Sequence, residues 1–230
     1  MDDEPERLEE KSKQDAYVFV DLGFMSAISR YYQQYKHVNI DYEKFFDNLC
    51  EIKGYKRVET YIFTAKKTEK NFLLEITNKY DVKKHLEELK RVNDETDLLN
   101  YENELREKAK RKFQGKERFI ARLNRIKDTR VNEDGRLQWI GTYLKQKGVD
   151  VRLAVEMTRL ALRGNIKNFI LVSSDSDFVP VVKMVKDEEV HVTLAYPKKN
   201  ISGVGKSSQL ELAVNDWIDI SEHFINQNLF

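Results

Sequence analysis

The sequence predicts an α/β fold, with a mostly parallel sheet, helices on both faces and a charged helical insertion. Short apolar runs alternate with stretches of helical periodicity, most regularly in the last third of the chain. Two of these runs, at 16–21 and 168–173, end beside carboxylates. Residues 67–127 interrupt the alternation with long charged stretches. With 230 residues, the chain has room for one large domain that carries an insertion.

The first part of the chain predicts a strand, two helices and a second strand. The run AYVFVD at 16–21 is apolar and ends in a carboxylate, and helical spacing follows Gly23. Asp41 has the character of an N-cap for the next helix, and Gly54 is a typical stop signal. The run RVETYIF at 57–63 predicts the second strand.

Residues 67–127 predict long solvated helices, because Lys, Arg and Glu dominate there and apolar residues recur at helical spacing. Asp134 and Gly135 then predict a hairpin or tight turn. After this point strands and helices alternate. The expected elements are a helix at 150–163, a strand at 168–173, a helix at 176–187, a strand at 190–195, a helix at 207–214 and a strand at 217–220.

These elements predict one discontinuous domain, made of residues 16–66 and 128–222. The charged helical insertion at 67–127 divides it, a disordered tail at 1–15 precedes it, and a C-terminal tail at 223–230 follows it.

Composition narrows the class of protein. The net charge is only +1, so a nucleic-acid partner would need a local basic surface. The single cysteine, Cys50, excludes an internal disulfide and fits a reducing compartment. The first residues are too charged for a secretory signal, and the sequence has no apolar run long enough to span a bilayer. We therefore expect a cytoplasmic protein without a membrane partner.

Acidic residues follow both buried strands. Asp21 ends the first, and Asp175 and Asp177 come just after the other. If the two strands are neighbours, these carboxylates converge at one edge of the sheet, where α/β folds bind ligands. Crowded carboxylates raise one another's pKa, and a bound divalent cation would relieve that repulsion. Ligands that are all oxygen suit a hard ion, Mg²⁺ or Mn²⁺, rather than zinc. A structural alternative is that Asp175 or Ser176 only caps the next helix.

The segment around these acids resembles a known family. The runs KGVD at 147–150 and SSDSDF at 173–178, followed by a valine-rich strand, are similar to the signature of the NYN domain family, a branch of the PIN-like metal-dependent ribonucleases. Ser174 stands where glycine is usual. The resemblance covers 16–64 and 136–220, and it implies a PIN-like fold that hydrolyses RNA phosphodiesters with metal-activated water.

The resemblance also assigns roles. By position, Asp21, Asp150, Asp175 and Asp177 match the family's acids, which implies that they are catalytic and hold Mg²⁺ or Mn²⁺. We expect Asp21 and Asp175 to be direct ligands, and Asp150 and Asp177 to bind a second ion or orient the water. We expect RNA as the partner, and an endonuclease rather than an exonuclease.

Two positions depart from the family pattern. Phe24 stands where the family usually has an asparagine, and Ser26 is the nearest polar substitute. Glu156 stands where the family often has aspartate, so it is a further catalytic candidate. The alternative for Glu156 is a rung in a surface ladder of ion pairs. The basic members of that ladder are Arg152, Arg159 and Arg163.

The insertion ends in an amphipathic basic helix, and its arginines are candidate RNA contacts. These candidates are Arg118, Arg122 and Arg125. Alternatively, the basic arm pairs with the acid-rich arm before it, or the insertion docks a second copy of the chain or another protein. Lys206 lies in a Gly/Lys loop before a helix and is a fourth candidate for phosphate contact. A P-loop is not favoured, because Asn200 replaces the motif's first glycine.

Two other functions stay open from the sequence. One is a catalytically weak PIN-like module that binds RNA or protein, which Phe24 favours. The other is a TOPRIM-like phosphotransfer domain, but that fold expects a glutamate where this chain has Asp21.

Overall fold

The computed structural model describes residues 12–36, 39–92, 95–140, 143–198, 204 and 207–228. Within these residues the chain forms seven strands and nine helices. The strands are β1 (Gln14–Asp21), β2 (Tyr55–Ala65), β3 (Thr129–Ile140), β4 (Tyr143–Lys147), β5 (Asn168–Val172), β6 (His191–Tyr196) and β7 (Asp216–Asp219). The helices are α1 (Leu22–Lys36), α2 (Tyr42–Glu51), α3 (Glu69–Thr77), α4 (Tyr80–Val92), α5 (Glu95–Leu123), α6 (Val149–Arg163), α7 (Val179–Asp187), α8 (Ser208–Ala213) and α9 (Glu222–Asn226).

The sheet has the order β4-β3-β2-β1-β5-β6-β7. Neighbouring strands are parallel except β3 and β4, which are antiparallel. The chain builds outward from β1 to β2 on one side and to β5 on the other, so the strand order reverses at the β1–β5 pair. The mostly parallel α/β fold predicted from the sequence is confirmed.

Two hydrophobic clusters cover the two faces of the sheet. Because side chains alternate along a strand, Val18 and Val20 of β1 face one cluster and Phe19 faces the other. Residues of α1, α2, the end of α5 and α9 form the first cluster, and residues of α6, α7 and α8 form the second. Strand β5 is buried along its whole length, as its continuous apolar run predicts.

The turn predicted at Asp134 and Gly135 is wrong. Strand β3 runs through both residues, and they form a bulge opposite Ala65 of β2. The glycine is needed for close packing, because a Cβ at Gly135 would lie 2.4 Å from Cγ2 of Val149 and 3.0 Å from Cα of Ala65. Beyond the bulge, β3 leaves β2 and pairs with β4, a short strand that the sequence did not predict.

The charged segment between β2 and β3 contains α3, α4 and α5. A small cluster of its own joins these helices, made of Ile76, Val82, Leu105 and Ala109. At its other end, α5 buries Ile120 and Leu123 in the first cluster of the sheet. The long helix therefore connects the outer helices to the core.

Both chain ends carry more structure than the sequence suggested. Strand β1 begins at Gln14, inside the predicted N-terminal tail. Within the predicted C-terminal tail, α9 buries Phe224 and Ile225 because its apolar side chains close the first cluster. Over the described residues, every helix is too short or too polar to cross a membrane.

Candidate metal centre and nucleic-acid interface

The two strands that end beside acids are neighbours. Val20 of β1 pairs with Val172 of β5, so Asp21 and Ser173 leave the sheet at the same level. This point is where the strand order reverses, the usual position of a ligand site in an open α/β sheet. The convergence expected for the acids of these two strands follows from this pairing.

Three aspartates meet at this edge. Carboxylate oxygens of Asp150, Asp175 and Asp177 lie within 4.8 Å of one another. Asp150 comes from the first turn of α6, which follows Gly148 in a left-handed conformation with φ of 76°. Asp150 is half-buried, whereas Asp175 and Asp177 are exposed.

The backbone fixes the loop that carries Asp175. Its carboxylate accepts a hydrogen bond of 2.9 Å from the backbone N–H of Asp177, and its own N–H donates to Oγ of Ser173 at 3.2 Å. Asp175 therefore caps the single 3₁₀ turn at Ser176–Phe178. This capping uses one carboxylate oxygen and leaves the second free for another ligand. Both sequence interpretations of Asp175 are thus compatible.

Asp21 lies beside the group of three without belonging to it. Its Oδ1 accepts hydrogen bonds from the N–H groups of Gly23 at 2.8 Å and Phe24 at 3.3 Å. Burial raises the pKa of Asp21 to about 6, and the negative charges of Asp150 and Asp175 act in the same direction, although the two backbone bonds oppose them. A side chain at position 23 would crowd this carboxylate, because its Cβ would lie 3.1 Å from Oδ1.

Asp150 also has a raised pKa. Burial is the main cause, and the charges of Asp175 and Asp177 add to it, while Lys145 and Lys147 of β4 oppose it. The three clustered donors, from Asp150, Asp175 and Asp177, are carboxylate oxygens that repel one another. Such a set fits a hard divalent cation, because the ion's charge compensates the repulsion that raises the pKa.

Asp21, Asp150 and Asp175 line an open cleft of about 550 Å³, whereas Asp177 lines an adjoining concavity that Asp150 also borders. Sequence reasoning missed several residues of the cleft wall, chiefly Lys145 and Gln146 of β4. Gln146 is held in place because its Oε1 accepts a hydrogen bond of 3.2 Å from the N–H of Ala65. The other lining residues are Gly23, Phe24, Ala27, Val149, Ser173, Ser174, Ser176, Val204 and Ser207.

Phe24, which replaces the family's asparagine, is half-buried and packs against both hydrophobic clusters. It lines the cleft beside Asp21, with an apolar ring where an amide was expected. Its backbone still contributes to the site through the hydrogen bond to Asp21.

The structure does not bring Glu156 to the other acids. Its carboxylate pairs with Arg159, with Nε donating to Oε2 at 2.8 Å, and it lines a separate concavity with Tyr61 and Arg130. This is one rung of the ladder considered from the sequence. A second arginine of that ladder, Arg152, pairs instead with Asp134 of β3 at 3.0 Å.

The three predicted arginines of the insertion share one concave surface at the end of α5. This surface is lined by Gly115, Arg118, Ala121, Arg122 and Arg125. All three arginines are exposed, and within the described part of the chain they have no ion pair. The described residues of the acid-rich stretch at 85–105 lie in the second half of α4 and the first part of α5, and the basic stretch continues along α5 to its end. Lys206 lies outside the described residues, although its neighbours Val204 and Ser207 line the cleft.

Comparison with known proteins agrees with this architecture. The family model described as NYN domain matches residues 15–220. A crystal structure of a protein of unknown function from Vibrio parahaemolyticus has a similar fold, with a TM-score of 0.56 and 14% identity over 97% of this chain and 100% of that one. No curated protein matches the sequence. NYN domain proteins are generally nucleases that act on RNA and typically use divalent metals. The family match over most of the sequence shows that the chain belongs to the NYN domain family.

Proposed function

We propose that this protein is a ribonuclease that hydrolyses RNA phosphodiester bonds with Mg²⁺ or Mn²⁺. The observation that carries the proposal is the group of three aspartate carboxylates within 4.8 Å, at the reversal of strand order, in a chain of a nuclease family. The donor set, made only of oxygen, supports a hard cation over zinc.

Asp150, Asp175 and Asp177 are the residues proposed to hold the cation, with Asp21 as a fourth carboxylate beside them. When bound, a divalent cation compensates the clustered negative charge and polarises the phosphodiester toward attack by water. Oδ1 of Asp21 is engaged by two backbone N–H groups, so its Oδ2 is the atom proposed to face the ion or the attacking water.

Side chains of β4 are proposed to position the substrate. Lys145 lines the cleft and places a positive charge near Asp150, where it can attract a phosphate. The amide of Gln146 is oriented by its bond to Ala65, which leaves Nε2 available to donate to a phosphate oxygen. These two residues hold the scissile phosphate against the acids.

The basic surface of α5 is proposed to hold the RNA beyond the cleft. Its arginines are exposed and have no carboxylate partner in the described part of the chain. Free guanidinium groups of this kind neutralise backbone phosphates. Lys206 lies outside the described residues and is kept as a further proposed contact, since Val204 and Ser207 line the cleft.

The proposal is tested by cleavage of labelled RNA and DNA with Mg²⁺, Mn²⁺ or EDTA. Asp175→Asn removes a carboxylate charge at nearly constant volume, so we expect cleavage to fall to the EDTA background while the circular dichroism spectrum stays unchanged. Asp187→Asn, an exposed aspartate at the far end of α7, is the matched control. Wild-type turnover by Asp175→Asn would exclude this metal centre. Circular RNA tests the proposed endonucleolytic mode, since an exonuclease leaves it intact.

A second candidate is a catalytically weak module that binds RNA. Phe24 favours it, because an apolar ring lines the cleft where the family usually has an asparagine. Wild-type protein that binds RNA but does not cut it with either cation would support this candidate. Phe24→Asn would then be expected to increase cleavage.

A further inference from the structure

A second cavity, of about 500 Å³, lies on a face of α1 next to the one that lines the acidic cleft. It is enclosed by α1, the start of α2 and the end of α5, and we call it the α1–α5 pocket. Its lining residues are Ser26, Ser29, Arg30, Gln33, Asn39, Ile40, Asp41, Tyr42, Glu43, Phe119, Arg122, Leu123 and Ile126.

The inner wall of the α1–α5 pocket is apolar and aromatic. Ile40 and Leu123 are buried at its base. The rings of Tyr42 and Phe119 contact each other edge to face, with centroids 5.4 Å apart. Burial raises the pKa of Tyr42, against the effects of a hydrogen bond with Ser29 and of the charge of Arg122. The tyrosine therefore keeps its proton at neutral pH.

The outer wall is cationic and polar. The guanidinium carbon of Arg122 lies 5.9 Å from the centroid of the Phe119 ring, at the outer limit of a cation–π contact. Arg30 is exposed on α1, and neither arginine has an ion pair among the described residues. Two acids share this wall: Asp41 caps α2 by accepting from the N–H of Lys44 at 3.2 Å, and Glu43 is exposed in the first turn of α2.

We propose that the α1–α5 pocket binds one unpaired nucleotide of the RNA substrate. The base would lie against Phe119 and the Arg122 plane, and its phosphate would lie between Arg30 and Arg122. Aromatic rings and arginine planes are the surfaces on which proteins stack splayed-out bases. Ser26, Ser29 and Gln33 supply donors and acceptors for base edges or the 2′-hydroxyl. The proposal rests on the ribonuclease function and specifies its substrate as single-stranded at this position.

The position of the pocket relative to the acids supports this assignment. Gly23, Phe24 and Ala27 of α1 line the acidic cleft, whereas Ser26 and Arg30 line the pocket. The two cavities therefore lie on neighbouring faces of one helix, and Gly23 and Arg30 are about 10 Å apart along its axis. A strand that crosses α1 reaches both cavities, and Arg122 connects the pocket to the other arginines of α5.

The test measures binding in EDTA, where the RNA stays intact. The probe is a single-stranded oligonucleotide that contains one 2-aminopurine, compared with the same sequence as a duplex. We expect Arg30→Ala and Arg122→Ala each to weaken single-strand binding about tenfold. Arg106→Ala is the matched control, since it lies on the same helix about 24 Å from Arg122 and should bind like the wild type.

Phe119→Leu separates stacking from charge. It keeps an apolar side chain against the core, so the protein should fold, as a melting curve will check. Loss of stacking should relieve the quenching of 2-aminopurine without changing the salt dependence of binding, whereas the arginine variants should reduce that dependence.

If both arginine variants bind RNA with wild-type affinity, or if duplex and single strand bind equally well, the α1–α5 pocket is not a site for an unpaired nucleotide. Wild-type protein that binds no RNA would overturn this proposal as well. Absence of cleavage with Mn²⁺, alongside intact binding that depends on Arg30 and Arg122, would count only against the catalytic proposal.

Discussion

Asp21→Asn is expected to make the metal-free protein more stable at neutral pH. The folded chain holds this carboxyl where burial and two neighbouring acids oppose its charge, and its pKa rises to about 6. Asparagine can keep an oxygen acceptor for the N–H of Gly23 and has no charge to bury. The variant therefore lacks the unfavourable free energy of a buried negative charge, which destabilises the metal-free wild type at the proposed metal centre.

The size of the effect follows from the pKa. The folded state keeps the proton to higher pH than the unfolded state, so the free energy of unfolding falls as pH rises from about 4 to about 6. The ordinary pKa is 3.8, so a folded-state pKa of about 6 lowers the free energy of unfolding of the wild type by about 3 kcal/mol at pH values above about 6. For a chain of this length, a gain of that size in the variant raises Tm by about 6 to 12 °C.

The assay is urea unfolding and thermal melting in EDTA, at pH 4 and pH 7. Asp21→Asn should gain stability at pH 7 and little at pH 4, because the wild-type carboxyl is then protonated in the folded state. Asp216→Asn is the opposite control. Burial raises the pKa of Asp216, but hydrogen bonds from Lys53 and the Trp217 N–H outweigh it and hold that pKa low, so this variant should lose stability at pH 7. An equal gain for Asp21→Asn at both pH values would show that its charge is not the cause.

Three further predictions concern the packing at Gly135, the role of Glu156 and the basic surface. Gly135→Ala should destabilise the fold by about 1 to 3 kcal/mol in urea unfolding, because its Cβ would lie 2.4 Å from Val149. Glu156→Gln should change kcat less than twofold in cleavage assays, since its partner is Arg159 and not the three aspartates. Reversing the three arginines of the basic surface to Glu should raise KM and keep kcat. Each lost phosphate contact should flatten the slope of log K against log salt by nearly one on a duplex, and by somewhat less on a single strand. The reversed residues are Arg118, Arg122 and Arg125.

Each of these predictions has its own control or contrary result. Gly115→Ala should be neutral or stabilising, because a Cβ there meets nothing within 4 Å and alanine favours helix. A tenfold loss of kcat in Glu156→Gln would restore this glutamate to the catalytic group. An unchanged salt dependence with a lower Tm in the arginine reversal would mean that the arginines stabilise the fold and do not contact RNA.

The sequence predicted the strands better than the bends between them. The strand NFILV is buried along its length, and its continuous apolar run shows its position, and that of the acids after it, in the sequence alone. Gly135 was misread because a glycine after an aspartate is typical of turns, whereas here it allows α6 and β2 to approach β3. Such an approach depends on residues distant in the sequence, and local patterns do not contain it.

The candidate site shows the same limit. Asp175 and Asp177 can be identified as candidates because they come directly after a buried strand. Asp150 can be identified only through the family resemblance, since an acid in the first turn of a helix is common. Gln146 and Lys145 were missed because YLKQK is short and polar, and its pairing with β3 forms only in the folded chain. Strand order brings these residues together, and no spacing in the sequence shows it.

The two ends of α5 are anchored unequally, which has a consequence for the dynamics of the chain. In its first half, α5 packs with α3 and α4 around a cluster with four buried side chains among the described residues, whereas its last turns are part of the larger core. A small cluster opens more readily than a large one, so amide hydrogen exchange should be fast in α3, α4 and the first half of α5 while the sheet stays protected. Such opening would carry the outer helices away as one unit without disturbing the arginines at the far end. The 29-residue helix thus separates a loosely held distal module from a firmly held basic surface about 20 Å away along its axis.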